Sequence, residues 1–349
     1  MNNARQIKVD ADPTLLGPYE PAEEADDLWF LPGDADDPAS PDPWPQTPPQ
    51  SLVDGAAWRE AEAGLAPDLA DLAYDAGRLG ERLAATGTGM AQRLALAEAS
   101  SLSWWTGDRI TSDRLALWLS YRIGATEEDG GALIRSAWAA RRLVLPTEAG
   151  PAGVLASTLG EVERADTRLW EDTAVAMQAV QGCSQVTQGC ALFHLWKALE
   201  ERPDHLRGLE AAVLGARLVG QARAKGGLAF LPLSLTGFAA LTASGAPDRR
   251  LAAWISGAHH AVLAALLTVD SIAAWRDRAK AATADLSGRT PQRLIAALAS
   301  HPMLGAAQAQ AETGASRAAV QRNLDVFLSR GLVREVTGQG RFRIWAAAV

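Results

Sequence analysis

From about residue 51 onward, apolar residues recur every three or four positions, which is the spacing of the buried face of an α-helix. Leu65, Leu69, Leu72, Ala76 and Leu79 form one such stripe. The same spacing predicts further helices near 90–102, 132–143, 151–160, 165–181, 188–201, 205–224, 234–244, 248–268 and 270–285. Alternation of apolar and polar residues typical of a strand does not extend beyond a few positions before residue 332. The fold class is therefore predicted to be mainly α.

The pattern changes after Pro291, where three short helices are predicted. Pro291 suits the first position of a helix that runs to about Ser300, because a proline there loses no helical hydrogen bond. A second helix from about Gly305 is expected to end at Gly314, since glycine readily takes the left-handed conformation of a helix C-cap. Ser316 can then cap a third helix by accepting backbone N–H bonds.

The third helix is amphipathic. Its predicted buried stripe is Val320, Leu324, Phe327 and Leu328. The side chains that consequently face away from the core are Arg317, Ala318, Gln321, Arg322 and Asp325.

A β-hairpin is predicted after this helix. Leu332–Val336 has strand character, Thr337–Gly340 forms a turn, and Arg341–Trp345 returns. In the return strand Phe342 and Ile344 alternate with Arg341 and Arg343, so that one face is apolar and the other cationic. The predicted fold is therefore a multi-helix body followed by a C-terminal winged helix-turn-helix with a short β-hairpin.

This C-terminal pattern predicts binding to double-stranded DNA. Arg317, Gln321 and Arg322 would enter the major groove, where arginine suits guanine and glutamine suits adenine. Arg341 and Arg343 on the wing would contact phosphates or the minor groove. The full predicted DNA-binding set is Ser316, Arg317, Gln321, Arg322, Gln339, Arg341 and Arg343. The alternative is that the same surface docks a protein or a second copy of the chain.

Three regions are predicted along the chain. Residues 1–50 are acidic and rich in proline, which indicates an extended arm or a disordered segment. Leu28–Leu31 and Trp44 are apolar anchors within this arm. Residues 51–287 form the helical domain, with a sub-boundary near 146–151, and residues 288–349 form the winged domain. The hinge between the last two is placed at Ser287–Thr290.

The charge distribution supports this division. The 349 residues carry a formal net charge of −8. Residues 286–349 contain eight arginines and three acidic residues, whereas the first sixty residues contain thirteen acidic and three basic residues. A basic C-terminal region on an acidic body is consistent with a DNA-binding domain at that end.

The cellular setting follows from cysteine content and hydropathy. Two cysteines and a polar, acidic N-terminus without a signal peptide indicate the cytoplasm. The most apolar run, Leu251–Val269, contains Ser256, Gly257 and two histidines, so it is interpreted as a buried helix and no membrane association is expected.

No catalytic, metal or cofactor site is predicted. The motifs GxGxxG, HExxH and GxSxG and a P-loop do not occur. Cys183, Cys190 and His194 would share one face of a helix, but residues seven apart lie about 10 Å from each other, so a metal site is not favoured. An enzyme or ligand site around Trp104, Trp105 and Arg109 stays open as a third hypothesis.

Two stretches resemble known families. Arg93–Ser101, reading RLALAEASS, resembles a helix near the N-terminus of Fic-type proteins and their non-catalytic relatives. Gly331–Trp345, reading GLVREVTGQGRFRIW, is similar to the end of uncharacterised, often plasmid-encoded bacterial proteins that pair a helical domain of unknown function with a C-terminal helix-turn-helix. The second resemblance implies the same architecture for this chain.

The Fic resemblance does not extend to catalysis. Fic proteins follow the serine pair with Ile-Glu-Gly, whereas this chain has Leu102-Ser103-Trp104. The Fic active motif begins His-Pro-Phe, and the only His-Pro here, His301-Pro302, is followed by methionine and lies between the first two helices of the winged domain. AMP transfer is therefore not expected.

The leading hypothesis is a transcriptional regulator that binds duplex DNA, forms a possible homodimer and responds to an unknown effector. The alternative is a non-catalytic Fic-like helical scaffold whose winged domain mediates protein–protein contacts.

Overall fold

The computed structural model of the protein describes residues 48–86, 88–121, 126, 128–146, 150–160, 167–220, 228–338 and 343–349. Thr47–Val349 form one compact unit. Nearly all of the predicted N-terminal arm, including Leu28–Leu31 and Trp44, lies outside the described residues, as do parts of the predicted joint at 146–151 and of the hairpin turn.

The described residues contain fourteen α-helices and three short β-strands, which confirms the prediction of a mainly α-helical protein. The helices are α1 Gly55–Gly64, α2 Ala66–Thr86, α3 Thr88–Trp105, α4 Ser112–Tyr121, α5 Gly130–Val144, α6 Gly150–Leu159, α7 Thr167–Ala176, α8 Gln185–Leu199, α9 Asp204–Gly220, α10 Ala239–Thr242, α11 Pro247–Ala282, α12 Thr290–Ser300, α13 Ala306–Thr313 and α14 Arg317–Ser329. The strands are β1 Leu304–Gly305, β2 Val333–Glu335 and β3 Ile344–Ala347.

The core of the helical body is built around the α8–α9 pair. The two backbones approach closely, because a Cβ atom at Gly189 or at Gly215 would lie 2.8 Å from the carbonyl oxygen of the other. Phe193, Trp196 and Trp254 are fully buried around this contact. Only glycine permits such an approach, so large aromatic side chains can fill the space on either side.

Helix α11 runs for 36 residues through this body and packs against α1, α2, α8, α10 and α12. Two helices were predicted here, at 248–268 and 270–285. The separate helices are wrong, because no glycine or proline occurs near Asp270 to end the first one. Among the described residues, α11 alone is long and apolar enough to cross a membrane, with a mean hydropathy of 1.4 over an 18-residue window, half of which is buried in the fold.

The predicted helix over 234–244 is largely wrong. Only Ala239–Thr242 is helical. The carboxylate of Glu98 accepts the backbone N–H groups of Leu233 and Ser234 at 2.9 and 3.0 Å, and Gly237 has a φ of 141°. These interactions hold the segment in an irregular conformation that local periodicity does not reveal.

The C-terminal elements surround a second apolar cluster. Trp275 of α11 joins Leu294, Leu298, Phe327 and Trp345 in its centre. Strand β3 pairs antiparallel with both β1 and β2, so the sheet order is β1-β3-β2. The sequence predicted two strands. The third, β1, has two residues and is defined only by its pairing with Ile344 and Trp345.

Most local predictions for this segment are confirmed. Gly314 has a φ of 63° and ends α13, and Ser316 caps α14 by accepting the N–H of Ala319 at 3.3 Å. Val320, Leu324 and Phe327 are buried, whereas Leu328 is exposed, so its assignment to the buried stripe is wrong. Leu328 lies at the edge of the stripe, near the end of the helix, where no described element covers it.

Candidate nucleic-acid interface

The first two turns of α14 present free cationic groups to solvent. Arg317 and Arg322 are exposed, and neither side chain has a hydrogen bond or ion pair with any described residue. The hydroxyl of Ser316 is used as the helix cap. The positive end of the helix dipole therefore adds to two unpaired guanidinium groups, an arrangement that attracts anions.

The neighbouring polar residues are paired with one another. The Gln321 amide donates to Asp325 at 3.0 Å. Arg343 donates to Glu335 at 2.7 Å and to Asp325 at 3.1 Å, and its guanidinium lies 5.2 Å from the centroid of the Trp345 ring. The hydrogen bond to Glu335 raises the pKa of Arg343. These contacts fix the hairpin against α14 and neutralise Arg343.

Two of the predicted site residues, Gln339 and Arg341, lie outside the described residues, as does Phe342. Their role in DNA binding stays a prediction. Of the remaining set, the structure brings Ser316, Arg317, Gln321 and Arg322 together on one helix, and places Arg343 beside Asp325 on that helix.

Arg293 belongs to the same surface and was missed by sequence analysis. Its guanidinium donates to the carbonyl oxygen of Thr313 at 2.6 Å, so it lies at the turn that connects α13 to α14. The last carbonyl groups of a helix need donors, but the sequence does not say which side chain supplies one. Arg289, before α12, is also exposed.

The surface is held in place by a contact with the helical body. The Arg93 guanidinium, on α3, donates to the carbonyl oxygens of Leu298 at 2.6 Å and Ala299 at 3.3 Å, and also to that of His301. These are the unsatisfied carbonyl groups at the C-terminal end of α12, where a cation is favoured. Burial lowers the pKa of Arg93 to about 10. The stretch that resembles a Fic helix therefore forms a structural joint here.

Further contacts fix other parts of the segment. The Tyr121 hydroxyl accepts the N–H of Gly305 at 2.6 Å, and burial raises the pKa of Tyr121. The Trp275 indole donates to the carbonyl oxygen of Leu332 at 2.7 Å. Arg334 and Asp113 form an ion pair at 2.7 Å. The C-terminal segment is thus anchored through several elements in addition to the covalent connection at 287–290.

The group formed by Cys183, Cys190 and His194 does not lie on one helix. Cys183 precedes α8, so the prediction that it shares a helical face with Cys190 and His194 is wrong. Its N–H bonds to the Val180 carbonyl in the turn that leads into α8. Burial lowers the pKa of His194 to about 3, with Arg250 and Lys197 contributing.

The tryptophan cluster is divided between surface and core. Trp104 is exposed, whereas Trp105 packs on Phe193 with ring centroids 6.2 Å apart. Asp108 accepts two hydrogen bonds from Arg135, at 2.6 and 2.9 Å. Arg109 has a φ of 54°. The acidic group beside the tryptophans is therefore engaged in a bidentate ion pair.

No protein-family model matches the chain, and no match is found among the curated proteins compared with it. The two resemblances drawn from short motifs therefore stay predictions.

Proposed function

We propose that residues 290–347 form a winged helix-turn-helix that binds double-stranded DNA, and that the protein is a cytoplasmic transcriptional regulator. The order α12-β1-α13-α14-β2-β3, with β3 between β1 and β2, supports this proposal. In such a domain α14 is the helix that enters the major groove and the β2–β3 hairpin is the wing.

The observation that carries the proposal is the contrast among the arginines of this segment. Arg330, Arg334 and Arg343 are each paired with a carboxylate. Arg317 and Arg322, on the helix that would enter the groove, have no described partner. Unpaired cations at that position increase affinity for a polyanion, and arginine can bind guanine through two hydrogen bonds.

The proposed roles differ between residues. Arg317 and Arg322 contact bases or phosphates. Arg293, at the α13–α14 turn, and Arg289, before α12, contact DNA phosphates. Ser316 fixes the start of the helix. Arg343 holds the wing against α14, because two carboxylates already neutralise it. Gln321 can contact adenine only if its hydrogen bond to Asp325 is exchanged for one to the base.

The test compares two double variants of the full-length protein that lose the same charge. Binding to duplex DNA is first selected from a random pool at low salt, and affinity for the selected site is then measured at several salt concentrations. Arg317→Ala/Arg322→Ala should weaken binding at least ~30-fold and reduce the salt dependence, since each lost contact costs about 1–3 kcal/mol. Arg330→Ala/Arg334→Ala removes two paired arginines and should change affinity less than ~3-fold.

Two outcomes would contradict the proposal. The first is the absence of duplex binding by the full-length protein at low salt, where phosphate attraction is strongest. The second is an equal loss of affinity in the two double variants, which would show that binding depends on overall charge.

A protein-docking role for the same face has one observation in its favour. Asp325 is exposed on α14 beside Gln321, and Glu335 lies close to it through Arg343. Carboxylates on this face would repel phosphate. Asp325→Asn separates the two functions, because it should strengthen DNA binding if DNA is the ligand and weaken binding if the ligand is a cationic protein surface.

A further inference from the structure

The outer face of α11 lacks the charges that exposed helices normally carry. Between Arg250 and Asp270 the helix has no Asp, Glu, Lys or Arg over nineteen residues, 251–269. Leu263 is 38% exposed and Leu267 is 68% exposed. The buried half of α11 accounts for part of this composition. On the exposed half, Asp270 forms an ion pair with Arg82 of α2, and the two leucines are open to solvent.

Six exposed positions follow the spacing of a two-helix interface. They are Ser256, His260, Leu263, Leu267, Asp270 and Ala274, each four or three residues after the previous one, and Thr268 and Ser271 beside them are exposed as well. This alternation of four and three is the heptad pattern of a coiled-coil seam, and it covers about 27 Å of helix at ~1.5 Å per residue. We call these six residues the α11 seam.

The α11 seam is complementary to itself in the antiparallel direction. If two copies cross about a two-fold axis between Leu263 and Leu267, each leucine meets the other leucine of the partner. The same axis places His260 opposite Asp270 of the other copy, and Ser256 opposite Ala274. Every layer therefore pairs apolar groups, small groups, or an imidazole with a carboxylate, so the surface is self-complementary, which an isologous interface requires.

The polar layer has the necessary free atoms. The Nδ1 atom of His260 bonds to the carbonyl oxygen of Ser256 at 2.8 Å. The other ring nitrogen, Nε2, is not used in this bond. Asp270 binds Arg82 through Oδ1, and Oδ2 has no partner among the described residues. When the Nε2 atom of His260 carries a hydrogen, it can therefore donate to the carboxylate of Asp270 in a second copy.

A cleft beside the α11 seam provides additional contact area. It has a volume of about 490 Å³ and is lined on one side by Leu267, Thr268 and Ser271. Its lining also includes Ala346, Ala347 and Val349 of the C-terminal segment, and Val349 is exposed. Side chains flanking a partner helix could enter this cleft, next to the last strand of the C-terminal segment.

We propose that the protein forms a homodimer through antiparallel pairing of the α11 seam with that of a second copy. The pairing depends only on α11 and its immediate neighbours, so it is independent of DNA binding. In the dimer the two C-terminal segments are related by a two-fold axis, and a DNA site bound by both would be palindromic.

The first experiment measures the mass of the full-length protein in solution by sedimentation at micromolar concentration. The wild type should be a dimer. Leu267→Glu should raise the dimer dissociation constant more than ~100-fold, because each of the two copies would bury one carboxylate in the interface. The matched control is Ile134→Glu on α5, an exposed residue (60%) outside the α11 seam, and it should leave the dimer unchanged.

The second experiment tests the register. A double variant, His260→Cys with Asp270→Cys, should form a covalent dimer under mild oxidation. Each single variant should not, because equivalent residues of the two copies lie about 15 Å apart along the helix, ten positions at ~1.5 Å each. Cys183 and Cys190 are buried and do not compete.

Three results would overturn the proposal. They are a monomeric wild type at these concentrations, a Leu267→Glu protein that stays a dimer, and cross-linking of the single variants as fast as the double variant. Binding of monomeric wild type to phosphatidylcholine vesicles, lost in Leu267→Glu, would assign the α11 seam to a membrane surface instead.

Discussion

Helices α3 and α14 differ in the surroundings of two of their charged side chains. On α3, Arg93 and Glu98 point into the protein and bind backbone groups of other elements. On α14, Arg317 and Arg322 point into solvent and bind no described residue. The charges of α3 hold the fold together, whereas those of α14 are available for a ligand.

The two pairs of charges contribute differently to the stability of the fold. A buried charge is tolerated only where hydrogen bonds replace those lost to water, so Arg93 and Glu98 each tie a distant segment to α3. An exposed arginine contributes little to stability, because water already solvates it. Substitutions of Arg93 and Glu98 should therefore affect folding, and those of Arg317 and Arg322 should affect binding alone.

The largest effect is expected from Arg93→Ala. It leaves three carbonyl groups at the end of α12 without a donor, so the free energy of unfolding should fall by about 2–4 kcal/mol. Urea unfolding followed by circular dichroism measures this change. A loss below about 0.5 kcal/mol, typical of surface positions, would contradict a structural role for the guanidinium.

Gly89→Ala should have a slightly smaller effect of the same kind. A Cβ atom at Gly89 would lie 1.8 Å from the carbonyl oxygen of Ser300, so α3 and α12 would have to separate, at a cost of roughly 1–3 kcal/mol. Gly64→Ala is the control. It meets no atom within 4 Å and should leave stability equal or raise it by up to ~1 kcal/mol.

Glu98 should make stability depend on pH. Burial raises its pKa to about 7, while its Oε2 atom has no partner among the described residues. A raised carboxyl pKa means that the folded state binds more protons than the unfolded state, so this contribution to stability falls as pH rises from about 4.5 to about 7.

Glu98→Gln should remove this dependence. The amide oxygen can still accept the N–H groups of Leu233 and Ser234 and carries no charge. At pH 8 the variant should be more stable than the wild type by on the order of 1–3 kcal/mol, and at pH 4.5 the two should be similar. If the free energy of unfolding of the wild type did not change between these pH values, ionisation of Glu98 would not destabilise the folded state, and the prediction would be wrong.

The smallest effect on folding is expected from Arg317→Ala/Arg322→Ala. Neither side chain has a described partner, so the free energy of unfolding should change by less than about 0.5 kcal/mol. The same urea experiment applies. Destabilisation comparable to that of Arg93→Ala would mean that the two arginines support the fold, and the contrast between α3 and α14 would not hold.

Much of the C-terminal segment could be predicted because its signals are local. Gly314 and Ser316 mark a helix end and a helix start by their own conformational preferences, and three of four stripe residues on α14 are buried as predicted. Strand β1 could not be predicted, because two residues have no periodicity and become a strand only by pairing with β3.

The sequence by itself determined the helical character of the body, the C-cap of α13, the N-cap of α14 and most of the buried stripe of α14. These depend on spacing and on neighbours within a few positions. Only the tertiary structure decided which arginines have a hydrogen-bond or ion-pair partner among the described residues. Arg93, Arg334 and Arg343 look no different in sequence from Arg317 and Arg322, but their partners lie elsewhere along the chain. Ion pairing depends on distance in space, which the order of residues does not specify.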